Sequence, residues 1–130
     1  MEIKVAIADD HKIFRKGVIL SLRHYSNIRF VLEADNGEDL LNQLDEAKPD
    51  VVLMDLRMKG KDGYTTTKEI REWEKRNGKQ RTPIIALTAY ALRNEVESAL
   101  QAGCDVYLTK PVLKQTLIDT LSDVMKKSPS

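Results

Sequence analysis

Apolar residues along the chain follow two alternating rhythms. Short β-branched or apolar runs recur as IKVAIA at 3–8, IRFVLEA at 28–34, VVLM at 51–54, PIIALT at 83–88 and DVYLT at 105–109, and each has the length of a strand. Between them apolar positions fall three and four apart: Phe14, Val18, Leu22 and Tyr25; Leu40, Leu41, Leu44 and Ala47; Leu92, Val96, Ala99 and Leu100. That spacing lines one face of a helix. A weaker helix over 64–76 rests on Ile70 and Trp73, and a stronger one over 112–127 on Leu113, Leu117, Leu121 and Val124. The pattern predicts a strand followed by a helix, five times over.

Turn residues agree with that count. Pro49 follows the second helix, Gly78 and Pro83 bracket the loop after the third, and Gly103 suits a left-handed cap on the fourth. Strands 1, 3 and 4 are almost continuously apolar, as parallel strands covered on both faces must be. Right-handed crossovers then give an α/β fold, a doubly wound sheet for which the order 2-1-3-4-5 is expected. Ligands in such a sheet sit beyond the carboxyl ends of the strands where the winding reverses, here between strands 1 and 3.

Composition narrows the function classes. With 130 residues, 42% of them apolar, the chain is sized for one domain. Its 21 basic and 20 acidic residues leave a net charge of +1, so no direct nucleic-acid binding and no membrane association are expected. Cys104 is the only cysteine, which excludes an internal disulfide; it is expected to be a buried, inert thiol. No signal peptide opens the sequence, and no apolar run approaches the roughly 18 residues of a membrane span, so a cytoplasmic location is expected.

Charge reappears where the strands stop. Asp9 and Asp10 follow strand 1, Asp55 ends strand 3, Thr88 ends strand 4 and Lys110 follows strand 5. Three carboxylates at one point repel unless a cation lies among them, and a divalent ion with oxygen ligands resolves this. Asp9 or Asp10 alone reads more readily as a helix cap, and Lys110 alone as a surface lysine before a first-turn proline; taken together the balance turns toward a metal and anion site. Pro111 also makes a cis bond possible. His11 is expected to be a solvated residue at a helix start, on the ground that adjacent strand positions point apart. Ser98 and Cys104 lack partners for a nucleophilic triad, and no phosphate-binding glycine motif is present.

Together, ADD at 8–10, MDLRMKGKDG at 54–63, LTA at 87–89 and YLTKP at 107–111 resemble the response regulator receiver domain (CheY-like) of two-component signal transduction, over about residues 3–125. The strand order expected above is that of this family and is not independent of it. The resemblance implies a single (βα)5 flavodoxin-like three-layer sandwich over 1–127, with 128–130 a tail or linker stub. It implies that Asp55 accepts a phosphoryl group from the phosphohistidine of a histidine kinase or histidine phosphotransfer protein. By the same resemblance Mg2+, with Mn2+ possible, would be held by Asp9, Asp10, Asp55 and the Arg57 backbone carbonyl. Lys110, Thr88 and the Ala89 N–H would hold phosphoryl oxygens, and Thr88 with Tyr107 would switch a surface made of helix 4, strand 5 and helix 5. Partners implied are an output domain or target protein, and a phosphorylation-dependent homodimer.

Two departures stand out. Many receivers carry proline where this chain has Lys59, followed by Gly60 and Lys61, which suggests a more flexible, more basic loop. Residues 1–55 resemble receivers of helix-turn-helix regulators, whereas PIIALTAYAL and AGCDVYLTKP resemble those attached to hybrid histidine kinases. A rival reading is a metal-dependent phosphatase-type enzyme with Asp55 as covalent nucleophile; Arg57, where those enzymes place a second acid, counts against it. A flavin-binding module of the same topology would need a phosphate-cradling Ser/Thr/Gly loop after strand 1 and aromatic stacking pairs, and this chain has neither.

Overall fold

The structure is a computed structural model that describes residues 2–89 and 92–127. The expected stub at 128–130, and residues 90 and 91 within PIIALTAYAL, lie outside the described residues. Ten elements alternate in order: β1 (Ile3–Ala8), α1 (Lys12–Ser21), β2 (Ile28–Ala34), α2 (Gly37–Ala47), β3 (Val51–Asp55), α3 (Gly63–Arg76), β4 (Ile84–Thr88), α4 (Arg93–Ala102), β5 (Val106–Thr109) and α5 (Lys114–Lys127). All strand pairs are parallel and the sheet order is β2-β1-β3-β4-β5, as expected.

Period two along the inner strands builds two cores. Ala6, Ala8, Val52, Met54, Ile84 and Ala86 pack with Leu40 and Leu44 of α2, Ile70 of α3 and Ala99 of α4. The alternate residues Val5, Ile7, Val51, Leu53, Ile85 and Leu87 pack with Val18 of α1 and Leu117, Leu121 and Val124 of α5. Hence β3 and β4 are buried at every position, while edge strand β5 alternates.

Three helical details differ from the periodicity. α1 stops at Ser21, whose hydroxyl bonds the Val18 carbonyl, and tight turns then carry Leu22 and Tyr25 onto the core without continuing the helix. Leu113 precedes α5 and is 72% exposed, so the α5 stripe begins at Leu117. Leu92 and Leu100 are exposed as well, leaving Ala99 and Ala102 as the buried residues of α4. Gly103 does take the left-handed cap, at φ 118°.

A buried polar frame, invisible to apolar periodicity, ties the far end of α3 to the sheet. Glu74 is buried and accepts from Arg71 Nη1 at 2.8 Å and from the Thr82 N–H at 2.7 Å. Arg71 also donates to the Gly103 and Thr82 carbonyls and to Asp105. Cys104 is buried beside Thr67, and burial raises its thiol pKa, as an inert thiol requires.

Candidate functional site

Strand register brings the acids together. β1 and β3 pair Ile7 with Leu53 and Ala8 with Met54, so one step further Asp9 comes opposite Asp55. By alternation both leave the sheet on the α1/α5 side, with Ile7 and Leu53, and Lys110 follows Leu108 onto the same side. The Lys110 N–H bonds the Thr88 carbonyl at 2.7 Å, extending the β4–β5 pairing to the lysine. Its ammonium lies 2.9 Å from Asp9 Oδ2 and 3.5 Å from Asp55 Oδ1, over the Phe14 ring at 4.4 Å. The Lys110–Pro111 peptide bond is cis.

Asp55 has a side chain 4% exposed, and its Oδ1 accepts from the Arg57 N–H at 3.2 Å. Its other oxygen, Oδ2, accepts no hydrogen bond from the described residues. Burial first, and the Asp9 charge second, push the Asp55 pKa up to about 6; Lys110 and the Arg57 N–H oppose the rise. Asp9 is fully buried, whereas Asp10 reaches the β3–α3 loop and accepts from the Lys59 N–H at 3.0 Å. One oxygen of each acid and one ring nitrogen of His11 all lie within 4.8 Å of one another. Three clustered carboxylates, each with a buried oxygen that accepts no hydrogen bond from the described residues, fit a divalent cation of oxygen preference. The cleft outside them has a volume of about 530 Å3 and is lined by residues that include Asp10, His11, Arg57, Lys59 and Glu95.

The helix-cap alternative fails for Asp9 and Asp10. The N-cap of α1 is His11, which receives no side-chain cap, and Asp9 Oδ1 instead accepts the His11 N–H at 2.9 Å. His11 is, as expected, a solvated residue at a helix start, but it does not point away from the acids. Although 65% exposed, its Nδ1 approaches Asp9, Asp10 and Asp55 at 3.1, 3.3 and 3.7 Å. Strand alternation does not govern it, because β1 ends at Ala8 and the chain turns back through that Asp9 bond.

Thr88 is buried at the end of β4 and Ala89 is exposed beside it. Tyr107 sits away from the acids on β5, paired with Ala86, and is 41% exposed. The Arg57 guanidinium pairs with Glu95 of α4, spanning the cleft. Beneath Asp55, Gly63 leaves no room for a side chain: a Cβ there would lie 2.4 Å from the Asp55 carbonyl oxygen.

Arg15 was not singled out by the sequence pattern, yet it is buried behind the acids. Nη1 bonds the Asp9 carbonyl at 2.6 Å, the Ala34 carbonyl at 3.1 Å and Asp35 at 2.8 Å, and Nε bonds Glu33. It locks the β1–α1 turn to the end of β2, and its bond holds the Asp35 carboxyl below the usual range. Lys61, one of the departing lysines, ties the β3–α3 loop down by pairing with Glu38 at 2.9 Å and Glu69 at 2.6 Å. The loop is thus anchored by charge rather than loosened by it.

Residues 5–122 match the response regulator receiver domain family. The chain belongs to that family. As a receiver domain it is a phosphoacceptor signalling module of a two-component system. It is 35% identical over 128 residues to the response regulator protein VraR of Staphylococcus saprophyticus, covering 98% of this chain and 57% of that one. It is 45% identical over 87 residues to the sensor histidine kinase GacS of Pseudomonas protegens, covering 67% of this chain and 10% of the kinase. The receiver domain therefore spans only part of the curated relatives it matches. Among solved structures, the receiver domain of the response regulator NarL from Mycobacterium tuberculosis superposes with a TM-score of 0.87 at 30% identity, covering 96% and 97% of the two chains. A chain from the co-crystal of the Saccharomyces cerevisiae phosphotransfer protein Ypd1 with the receiver domain of Ssk1 gives 0.86 at 32% identity, covering 94% and 88%.

Proposed function

We propose that Asp55 is the residue this receiver domain phosphorylates, and that its donor is the phosphohistidine of a histidine kinase or histidine phosphotransfer protein. The observation that carries this is the convergence on one buried carboxylate of two further acids and a lysine from neighbouring strand ends. Asp55 Oδ2, which accepts no hydrogen bond from the described residues, attacks phosphorus; the P–N bond of the donor breaks and its electron pair leaves with the imidazole. Lys110 then meets a phosphoryl oxygen, and Thr88 and the Ala89 N–H meet others. Mg2+, or Mn2+, held by Asp9, Asp10, Asp55 and the Arg57 carbonyl, supplies charge neutralisation for the transferring group. The Ypd1 complex of a similar domain supports a phosphotransfer partner.

Position 57 supports signalling without stand-alone turnover. Arg57 stands where a phosphatase-type enzyme would carry its second acid, and its guanidinium is engaged by Glu95. Among the described residues no helix is long and apolar enough to cross a membrane. An output domain, a target protein or a phosphorylation-dependent second copy would read the surface of α4, β5 and α5.

The test is incubation with acetyl phosphate and Mg2+ followed by intact-mass measurement. One added phosphoryl group, absent in Asp55→Asn and without Mg2+, is the expected result. No gain by folded, metal-loaded protein refutes the reading.

A further inference from the structure

His11 is the residue at the carboxylate edge to which the proposed function gives no task. A single nitrogen of its ring faces all three acids, at 3.1, 3.3 and 3.7 Å. Its backbone holds it there: the N–H is donated to Asp9 Oδ1, turning the chain back over the strand end. The side chain makes no capping bond to α1 although His11 is the N-cap; its one side-chain hydrogen bond joins Nδ1 to Asp9 Oδ1, inside the acid cluster itself. The buried Oδ2 of Asp55, which lacks a donor among the described residues, opens toward the same nitrogen.

We infer that His11 Nδ1 is a further ligand atom for the divalent ion, making this a mixed nitrogen and oxygen site whose ion preference His11 sets. The inference rests on the metal-assisted acceptor site proposed above. Carboxylate and carbonyl oxygens suit Mg2+ and Mn2+, whereas an imidazole adds affinity for later first-row ions such as Ni2+. In the metal-free protein Nδ1 donates to Asp9 Oδ1; a bound ion would take the place of that proton, with the ring proton carried on Nε2, which solvent reaches at a side chain 65% exposed. The alternative role for the ring is to neutralise the acids until an ion displaces it. Those two roles differ in one observable, whether the nitrogen touches the bound metal.

The chain has two histidines, and the other, His24, is exposed, so His24→Ala leaves His11 as the only imidazole. Pulsed electron paramagnetic resonance of Mn2+ bound to His24→Ala should show imidazole-nitrogen modulation that vanishes in His24→Ala/His11→Ala. By calorimetry, removing His11 should weaken Ni2+ binding at least about tenfold while Mg2+ binding changes less than about threefold. Asp55→Asn in the His24→Ala background should also weaken Ni2+, because the ion sits among the carboxylates. Absence of nitrogen modulation with Mn2+ bound, equal losses for Mg2+ and Ni2+, or Ni2+ affinity that survives Asp55→Asn each overturns the assignment and leaves the acceptor reading standing. Failure of Mg2+ and Mn2+ to bind at all, with no phosphoryl gain, overturns the acceptor reading itself. Thermal melts of each variant check folding, which an exposed side chain without a capping bond should not disturb.

Discussion

Asp55 carries a folding cost that pH reveals. Its ordinary pKa of 3.8 rises to about 6 in the folded, metal-free protein, so between those values the folded state binds more protons than the unfolded one. Stability from this group is therefore full below about pH 4 and is lost as pH rises through about 6. Asp35, lowered by Arg15, acts in the opposite sense and loses its contribution as pH falls, so the effect of Asp55 is best read as a difference between variants. Urea denaturation without metal should find Asp55→Asn more stable than wild type by about 1–2 kcal/mol at pH 7, with the gap closing toward pH 4. Saturating Mg2+ should also narrow it at pH 7. A gap that is constant with pH would mean that the buried charge is not its source. Asp9, Asp10, Asp55 and Lys110 were legible in the sequence because strand ends in a doubly wound sheet must converge. His11 and Arg15 were not: one lies in a turn where strand alternation no longer applies, and the other reads as a solvated arginine on an amphipathic helix.

At the scale of elements, all ten were legible, because both periods follow from burial on a two-faced sheet. What apolar spacing could not show is how α3 and α4 are held. α3 looked weak since its inner face includes Thr66, Thr67 and Glu74, all buried. Its strength lies in Glu74, which satisfies both Arg71 and the Thr82 N–H and so fixes the start of β4. Removing Glu74 leaves the Thr82 N–H without its acceptor while Arg71 keeps Asp105 and two carbonyls, a loss of about 1–3 kcal/mol. Glu74→Ala should therefore destabilise the domain by an amount in that range, measured by urea denaturation, whereas Glu97→Ala on the exposed face of α4 should cost less than about 0.5 kcal/mol. Similar losses in the two variants would show that the Glu74 frame carries no special weight.

For the whole molecule, the question is how an event at Asp55 reaches a surface that another protein can read. α4 is the helix best placed to respond, because it is anchored through two alanines, Ala99 and Ala102, while Leu92 and Leu100 remain in solvent. An element with so little buried apolar area opens at low cost. Thr88 closes β4 one residue after Leu87, the register partner of Asp55, and Tyr107 lies two register steps back on the adjoining strand, half in solvent. A phosphoryl group that draws the Thr88 hydroxyl toward Asp55 makes contacts in only one of two arrangements, and only such differential contacts shift a population. Hydrogen exchange with Mg2+ and beryllofluoride, a phosphoryl mimic, should alter protection in α4 and β5 relative to Mg2+ alone. Thr88→Val should still accept a phosphoryl group, by intact mass, yet show less than about half of that change, since it keeps the shape and loses the hydroxyl. A full response in Thr88→Val would move the switch away from that hydroxyl, and an unchanged α4 and β5 in wild type would remove the proposed output surface altogether.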